Sequence, residues 1–175
     1  MSGISGVVFD LDVTLAKTEG LNFGDRTPAT LLAPAEPSPT STPWRTSGVG
    51  LPGKLLARGY RVAVITRSRP AYAWTLAWLL RLDFEHLLAG SSQVARTPAE
   101  KLRYLAATWN LLPSQILYIG DDYDDREQAR IAGCHYSPPG GATRAKPVRH
   151  CRASEAPSRP RCSPCRTARN PTRRS

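Results

Sequence analysis

Short apolar runs alternate with longer helix-periodic segments over most of the first 141 residues. Ile4–Phe9 (ISGVVF), Tyr60–Ile65 (YRVAVI), His86–Ala89 and Gln115–Ile119 (QILYI) are brief, rich in β-branched or aromatic side chains, and bounded by polar residues, which predicts buried strands. Between them lie helical patterns: Leu51–Arg58, stopped by Gly59, then Ala71–Leu82, a segment from Thr97 to about Trp109, and Asp124–Ala132, closed by Gly133. Ala71–Leu82 (AYAWTLAWLLRL) is apolar on most of its surface, so it is expected to be well buried. Thr97-Pro-Ala-Glu100 has an N-cap residue, a proline at the first helical position and the partner acid of a capping box.

Strands alternating with helices predict a parallel sheet wound by crossover helices, an α/β fold. In such sheets chemistry collects beyond the carboxyl ends of the strands. Three predicted strands end there in reactive residues: Asp10 and Asp12, Thr66, and the acidic run Asp121-Asp122-Tyr-Asp-Asp125, while Lys101 sits in the first turn of the capped helix. Lys17–Gly50 breaks the alternation. It is rich in Pro, Ser and Thr without sustained periodicity, and it exceeds the ~12–15 residues usual for a structureless connection, so it reads as a long surface loop that is functional, mobile or both. After Gly133 no further strand or helix is read, because His135–Gly141 passes into an Arg/Pro/Ser-rich stretch.

Charge changes the picture only at one end. The net charge of +10 suggests nucleic acid, yet residues 142–175 carry ten Lys/Arg against one acid, and the residues before them carry 14 basic and 13 acidic side chains. The division expected is therefore a catalytic-type domain over 1–141 and a basic, disordered tail over 142–175. Nucleic acid is a partner only through that tail, where no interleaved aromatics offer base stacking. No apolar run approaches the ~20 residues of a membrane span. The start MSGISGVVFDLD has no basic stretch ahead of its apolar residues, which makes a cytoplasmic protein the expectation. Three of the four cysteines lie in the tail, and no disulfide framework is expected.

The acidic run poses a chemical question. Four carboxylates in five residues repel one another unless water or a cation separates them. Asp10 and Asp12, at the end of another strand, supply the opposite wall, and a hard divalent cation such as Mg²⁺ would relieve the crowding while keeping positions open for a phosphate. A lysine ammonium and a threonine hydroxyl add donors for phosphoryl oxygens. Singly, each group has a plainer reading: solvated strand-end acids, a turn hydroxyl, a surface lysine, an acidic helix start.

Together these segments resemble the haloacid dehalogenase (HAD) superfamily. FDLDVTL at Phe9–Leu15 is similar to its hhhDxDxT motif, VIT at Val64–Thr66 to its second motif, Lys101 to its third-motif lysine, and GDDYDDREQARIAG at Gly120–Gly133 to its GDxxxD motif. The resemblance covers Met1 to about Tyr136. It implies a three-layer α/β/α Rossmann-like fold, here without a helical cap domain, since only the Pro-rich loop stands in the cap-insertion position. It further implies an Mg²⁺-dependent phosphatase acting on a phosphorylated substrate. Asp10 would be the nucleophile that becomes an aspartyl-phosphate, Asp12 the general acid and then base, Thr66 a ligand of phosphoryl oxygens and Lys101 a stabiliser of charge. Mg²⁺ would be held by Asp10, the Asp12 main-chain carbonyl and Asp121, with Asp125 supporting its water shell and Asp122 as a substitute. One departure stands out: Val13 follows Asp12 where phosphatase members commonly have glycine. Two other classes fit the chain as well, a catalytically weak regulatory module on the same fold and a nucleic-acid-associated protein led by the tail. Oligomeric state has no sequence signal here.

Two decoys fall away on chemistry. Gly48–Lys54 satisfies the start of a P-loop, but Leu55 stands where a Mg²⁺-binding hydroxyl is needed, no strand precedes it, and Pro52 removes an N–H from the cradle. In the tail, Cys162-Ser-Pro-Cys165 with His150 and Cys151 has irregular spacing for a zinc site.

Overall fold

The computed structural model describes residues 3–33, 45–90 and 95–140. Five strands form one parallel sheet in the order β3-β2-β1-β4-β5: β1 Gly6–Asp10, β2 Arg61–Thr66, β3 His86–Ala89, β4 Ile116–Ile119 and β5 His135–Ser137. The order reverses at β1, so β1 is central, and the crevice between β1 and its neighbours is where such sheets bind ligands.

Alternation along the strands divides the core in two. Val7 and Phe9 of β1, Val62 and Val64 of β2, and Ile119 of β4 pack on one face with Tyr72, Leu76 and Leu80. Val8, Ala63, Ile65, Ile116 and Tyr118 pack on the other with Leu102, Leu105 and Ala129. Both faces of each central strand are covered, as the unbroken apolar runs require. The first layer is built by α1 (Pro28–Leu32), α2 (Leu51–Leu56) and α3 (Pro70–Leu80); the second by α4 (Pro98–Thr108) and α5 (Tyr123–Ala132).

The predicted capping box forms: Thr97 Oγ1 accepts from the Glu100 amide, and the Glu100 carboxylate accepts from the Thr97 amide. Gly133 ends α5 with φ +80, a left-handed cap that favours glycine.

Three expectations are corrected. β5 exists and pairs with β4, so the sheet gains a further strand after α5; three residues are too few to stand out beside the Pro/Gly run that follows. The segment 17–50 is not plain loop. Phe23–Asp25 forms a 3-10 turn, and Thr27 caps α1, whose Leu31 is buried in the core. Among the described residues this segment holds single turns and no cap domain. Finally, α3 buries only its inner face. It lies in an outer layer of the fold, and among the described residues Trp74 and Trp78 remain exposed. The six-residue α2 starts at Leu51, and among the described residues 45–50 just ahead of it there is no strand. The tail, with its Cys/His group, lies outside the described residues.

Candidate active site

The carboxyl ends of β1, β2 and β4 open into one small cavity of about 110 Å³, lined by Asp10, Asp12, Thr66 and Asp121 among others. Asp10 is the last residue of β1. One oxygen each from Asp10, Asp121 and Asp125 lies within 4.8 Å of the others. Burial, and then the neighbouring carboxylates of Asp125, Asp12 and Asp121, push Asp10 well above the ordinary carboxylate range. Such a group of hard oxygen donors with unrelieved like charge fits a divalent cation.

The turn after β4 delivers Asp121 and Asp125 by a steric rule. A Cβ on Gly120 would overlap the Asp125 carboxylate, so glycine is required for Asp125 to reach inward. Asp125 is buried and accepts from Tyr118 Oη at 2.8 Å and from the Asp122 amide at 3.3 Å. Burial raises its pKa, and those two hydrogen bonds oppose the rise. Tyr136 Oη of β5 donates to the Gly120 carbonyl at 2.8 Å, so the edge strand steadies the same turn. Asp122 is not brought into the three-carboxylate group. It caps α5, accepting from the Asp124 amide, and lies 3.6 Å from the Arg67 guanidinium.

Asp12 occupies a different niche. Its Oδ2 accepts from Ser68 Oγ at 2.7 Å and Thr66 Oγ1 at 3.2 Å, its Oδ1 from Tyr72 Oη at 2.9 Å, and Arg26 Nη1 sits 3.2 Å from Oδ2. It is buried, and these four donors satisfy a charge that burial alone would penalise. The turn carrying Asp12 forces Val13 to φ +62, the left-handed region that glycine enters freely and a β-branched residue does not. That is the physical content of the glycine usual at this position. Thr14 Oγ1 donates to Asp121 Oδ1 at 3.1 Å, tying the β1 turn to the β4 turn.

Thr66, at the end of β2, donates to Asp12 and accepts from the Ser68 amide, and is itself buried. Lys101 rises from the first turn of α4 with 1% of its surface exposed, and its Nζ donates to the Thr66 carbonyl at 2.7 Å. Desolvation pulls Lys101 down from 10.5 to about 8, against the attraction of Asp10.

Every singled-out residue therefore meets the same strand ends; Asp122 also lines the cavity but stands outside the three-carboxylate group. Sequence reasoning missed Arg26, Ser68, Tyr72 and Tyr118. Thr14 had a signal in the motif threonine of FDLDVTL, and Tyr118 in its place on β4, seven residues before Asp125 on a strand that ends at the cluster. Arg26 had none, since it lies in the aperiodic segment.

No protein-family model matches the chain. A phosphoglycolate phosphatase of Pasteurella multocida (strain Pm70) is 34% identical over 83 residues, 46% of this chain and 37% of that protein, so the chain matches well under half of its relative's length. Solved structures match more broadly. A predicted phosphoglycolate phosphatase from Haemophilus somnus 129pt superposes with a TM-score of 0.58 at 20% identity over 78% of this chain and 85% of that one. CbbY from Rhodobacter sphaeroides, in complex with phosphate, gives 0.58 at 17% over 77% and 85%. A HAD-superfamily hydrolase of subfamily IA from Geobacter sulfurreducens PCA gives 0.58 at 16% over 77% and 88%. With the sheet order, the two packed faces and the strand-end site already in place, these likenesses establish that the chain has the haloacid dehalogenase-like fold.

Proposed function

We propose that this chain is an Mg²⁺-dependent phosphohydrolase that works through an aspartyl-phosphate on Asp10. The observation that carries the reading is the cluster at the end of the central strand, where Asp10, Asp121 and Asp125 present oxygens within 4.8 Å of one another. Asp10 and Asp121, with the Asp12 main-chain carbonyl, would hold Mg²⁺, and Asp125 would support them. When bound, the ion neutralises crowded carboxylates and offsets charge on the phosphoryl oxygens.

The chain's own groups divide the remaining work. The Asp10 carboxylate attacks phosphorus, the bond from phosphorus to the ester oxygen breaks, and Asp12, which must enter this step carrying a proton, delivers it to the departing alcohol. Asp12 then takes a proton from water as that water attacks the aspartyl-phosphate, which releases inorganic phosphate and restores Asp10. Lys101, buried behind Thr66, stabilises the negative charge of Asp10 and the phosphoryl group. Thr66 and Ser68 hold Asp12 through their hydroxyls, and Thr66, which lines the cavity, would turn its hydroxyl to a phosphoryl oxygen when substrate is bound.

The cavity is small and walled almost wholly by charged and hydroxyl side chains, with Val13 the only apolar one. A compact phosphate ester suits it, and the substrate named for the Pasteurella relative, phosphoglycolate, is the first to try. Phosphate release from phosphoglycolate and p-nitrophenyl phosphate, with Mg²⁺ and with chelator, tests the reading in wild type and Asp10→Asn. Turnover that survives Asp10→Asn sinks the mechanism.

A further inference from the structure

Arg67 follows Thr66 directly and brings a guanidinium to the wall of the cavity that Asp10 and Asp12 line. More than half of its side chain is exposed, whereas Arg26, the other guanidinium in the wall, is mostly covered and faces Asp12. Arg67 reaches from the end of β2 to the start of α5. Its Nη1 donates to Asp124 Oδ2 at 3.0 Å, while Nη2 stands 3.6 Å from Asp122 Oδ2, too far for a hydrogen bond. The bond to Asp124 is the only hydrogen bond this guanidinium makes among the described residues. Nε and Nη2, which share the side edge of the guanidinium, have no acceptor, and such an edge is able to take a carboxylate through two parallel bonds.

A further anion on Arg67 orphans nothing. Asp122 keeps its place as the cap of α5, accepting from the Asp124 amide. Asp124 stands in the first turn of α5, where a carboxylate is favoured, and its other oxygen accepts from Gln128 Nε2 at 3.5 Å. Both acids are half-exposed, so water supports them as well. The charge of the cavity gives an anion a reason to seek Arg67. Five carboxylates line it, those of Asp10, Asp12, Asp121, Asp122 and Asp125, and Arg26 is already paired with Asp12. Burial lowers Lys101, Asp10 opposes that shift and the Arg67 charge adds to it, so the guanidinium is close enough for the buried ammonium to feel it. Lys101 has 1% of its surface exposed, which leaves Arg67 as the solvent-facing cation of the site.

We propose that Arg67 is a specificity residue that receives a second anionic group, carried on the alcohol half of the substrate. Phosphate esters of acidic alcohols are thereby hydrolysed in preference to uncharged esters of the same size. This rests on the phosphohydrolase reading above. Thr66 and Lys101 serve the phosphoryl oxygens at the strand ends, and Arg67, one residue beyond Thr66, stands on the solvent side, where the alcohol departs. A carboxylate there bonds to Nε and Nη2 while Nη1 stays with Asp124, so no hydrogen bond has to open. The pairing of Arg26 with Asp12 is untouched. An uncharged alcohol leaves the side edge of Arg67 to water.

Phosphoglycolate and ethyl phosphate isolate the effect, because they differ by a carboxylate in place of a methyl group. With Mg²⁺, kcat/KM is measured for both in wild type, Arg67→Met and Asp124→Asn. Wild type is expected to prefer phosphoglycolate, and Arg67→Met to shrink that preference at least about tenfold, with the larger loss on phosphoglycolate. Asp124→Asn breaks the same link between β2 and α5 but leaves the guanidinium in place, so it should keep at least the wild-type preference. If Arg67 merely ties the two turns together, Asp124→Asn reproduces Arg67→Met, and the proposal is overturned. Equal losses on both esters in Arg67→Met would put the guanidinium on the phosphoryl group and overturn it as well. So would a preference that Arg67→Met leaves unchanged, or one absent from wild type. If wild type hydrolyses neither ester, the phosphohydrolase reading has failed and takes this one with it, an outcome plainly different from an unaltered ratio.

Discussion

Lys101→Met is expected to make the metal-free protein more stable while ending its turnover. Lys101 is one of the largest fully buried side chains, and desolvation draws it from 10.5 to about 8. At pH 7 the folded state must keep this ammonium charged against its burial, at a cost of about 3 kcal/mol relative to the unfolded chain. Methionine has similar length and no charge to desolvate. The variant gives up the bond from Nζ to the Thr66 carbonyl, but that oxygen also accepts from the Gly90 amide at 3.1 Å and is not orphaned. The loss is then about 1 kcal/mol, and the net gain about 1–2 kcal/mol.

Urea unfolding in chelator-treated buffer measures this, with a rise of about 0.5–1 M in midpoint expected at pH 7. The pH dependence provides a sign test. Between about 8 and 10.5 the unfolded state binds the proton that the folded state has released, so wild-type stability rises with pH across that window relative to a variant without the group. The advantage of Lys101→Met should therefore be full at pH 7 and close as pH approaches 10.5. A variant less stable than wild type at pH 7, or an advantage constant with pH, would refute the reasoning and make Lys101 a net structural partner of Asp10.

Three further outcomes are expected. Val13→Gly removes a left-handed β-branched residue and should raise Tm by about 2–4 °C, as followed by circular dichroism; a lower Tm would show that the Val13 side chain outweighs its backbone strain. Gly120→Ala forces the Asp125 carboxylate out of its place, so Mg²⁺ affinity by calorimetry should fall while the far-ultraviolet spectrum is kept, and unchanged affinity would remove Asp125 from the metal's support. Mg²⁺ should stabilise wild type by about 2.7 kcal/mol at a hundredfold excess over Kd, and the gain should be absent in Asp121→Asn; equal stabilisation of both proteins would place the ion elsewhere.

How far these residues were legible depends on whether a local pattern fixed them. Strand periodicity puts Asp10 and Thr66 at strand ends, and the capping box puts Lys101 in a first turn, so each is readable from its own neighbours. Asp121 and Asp125 are readable as a cluster, but not which acid turns inward: that is decided by the missing Cβ of Gly120 and the hydroxyl of Tyr118. Arg26 comes from one stretch and Ser68 and Tyr72 from another, and their common purpose appears only where their donors meet on Asp12. β5 stayed hidden because its signal is pairing, and three residues carry almost no periodicity.

The distribution of cost follows from that geometry. Both faces of the sheet are packed with apolar side chains in the ordinary manner. The expensive features sit at the carboxyl ends of the strands: a carboxylate raised by burial and three like charges, an ammonium lowered by burial, a valine at φ +62, and an arginine with an unpartnered buried Nε. Each is a local loss that the surrounding core sustains, the pattern of sites where strain is kept because a ligand relieves it. A cation would relieve the carboxylates, and a phosphoryl group would give the ammonium a partner. Val13 gains nothing from either ligand. It is therefore the one costly residue whose replacement should add stability without touching a charge in the site.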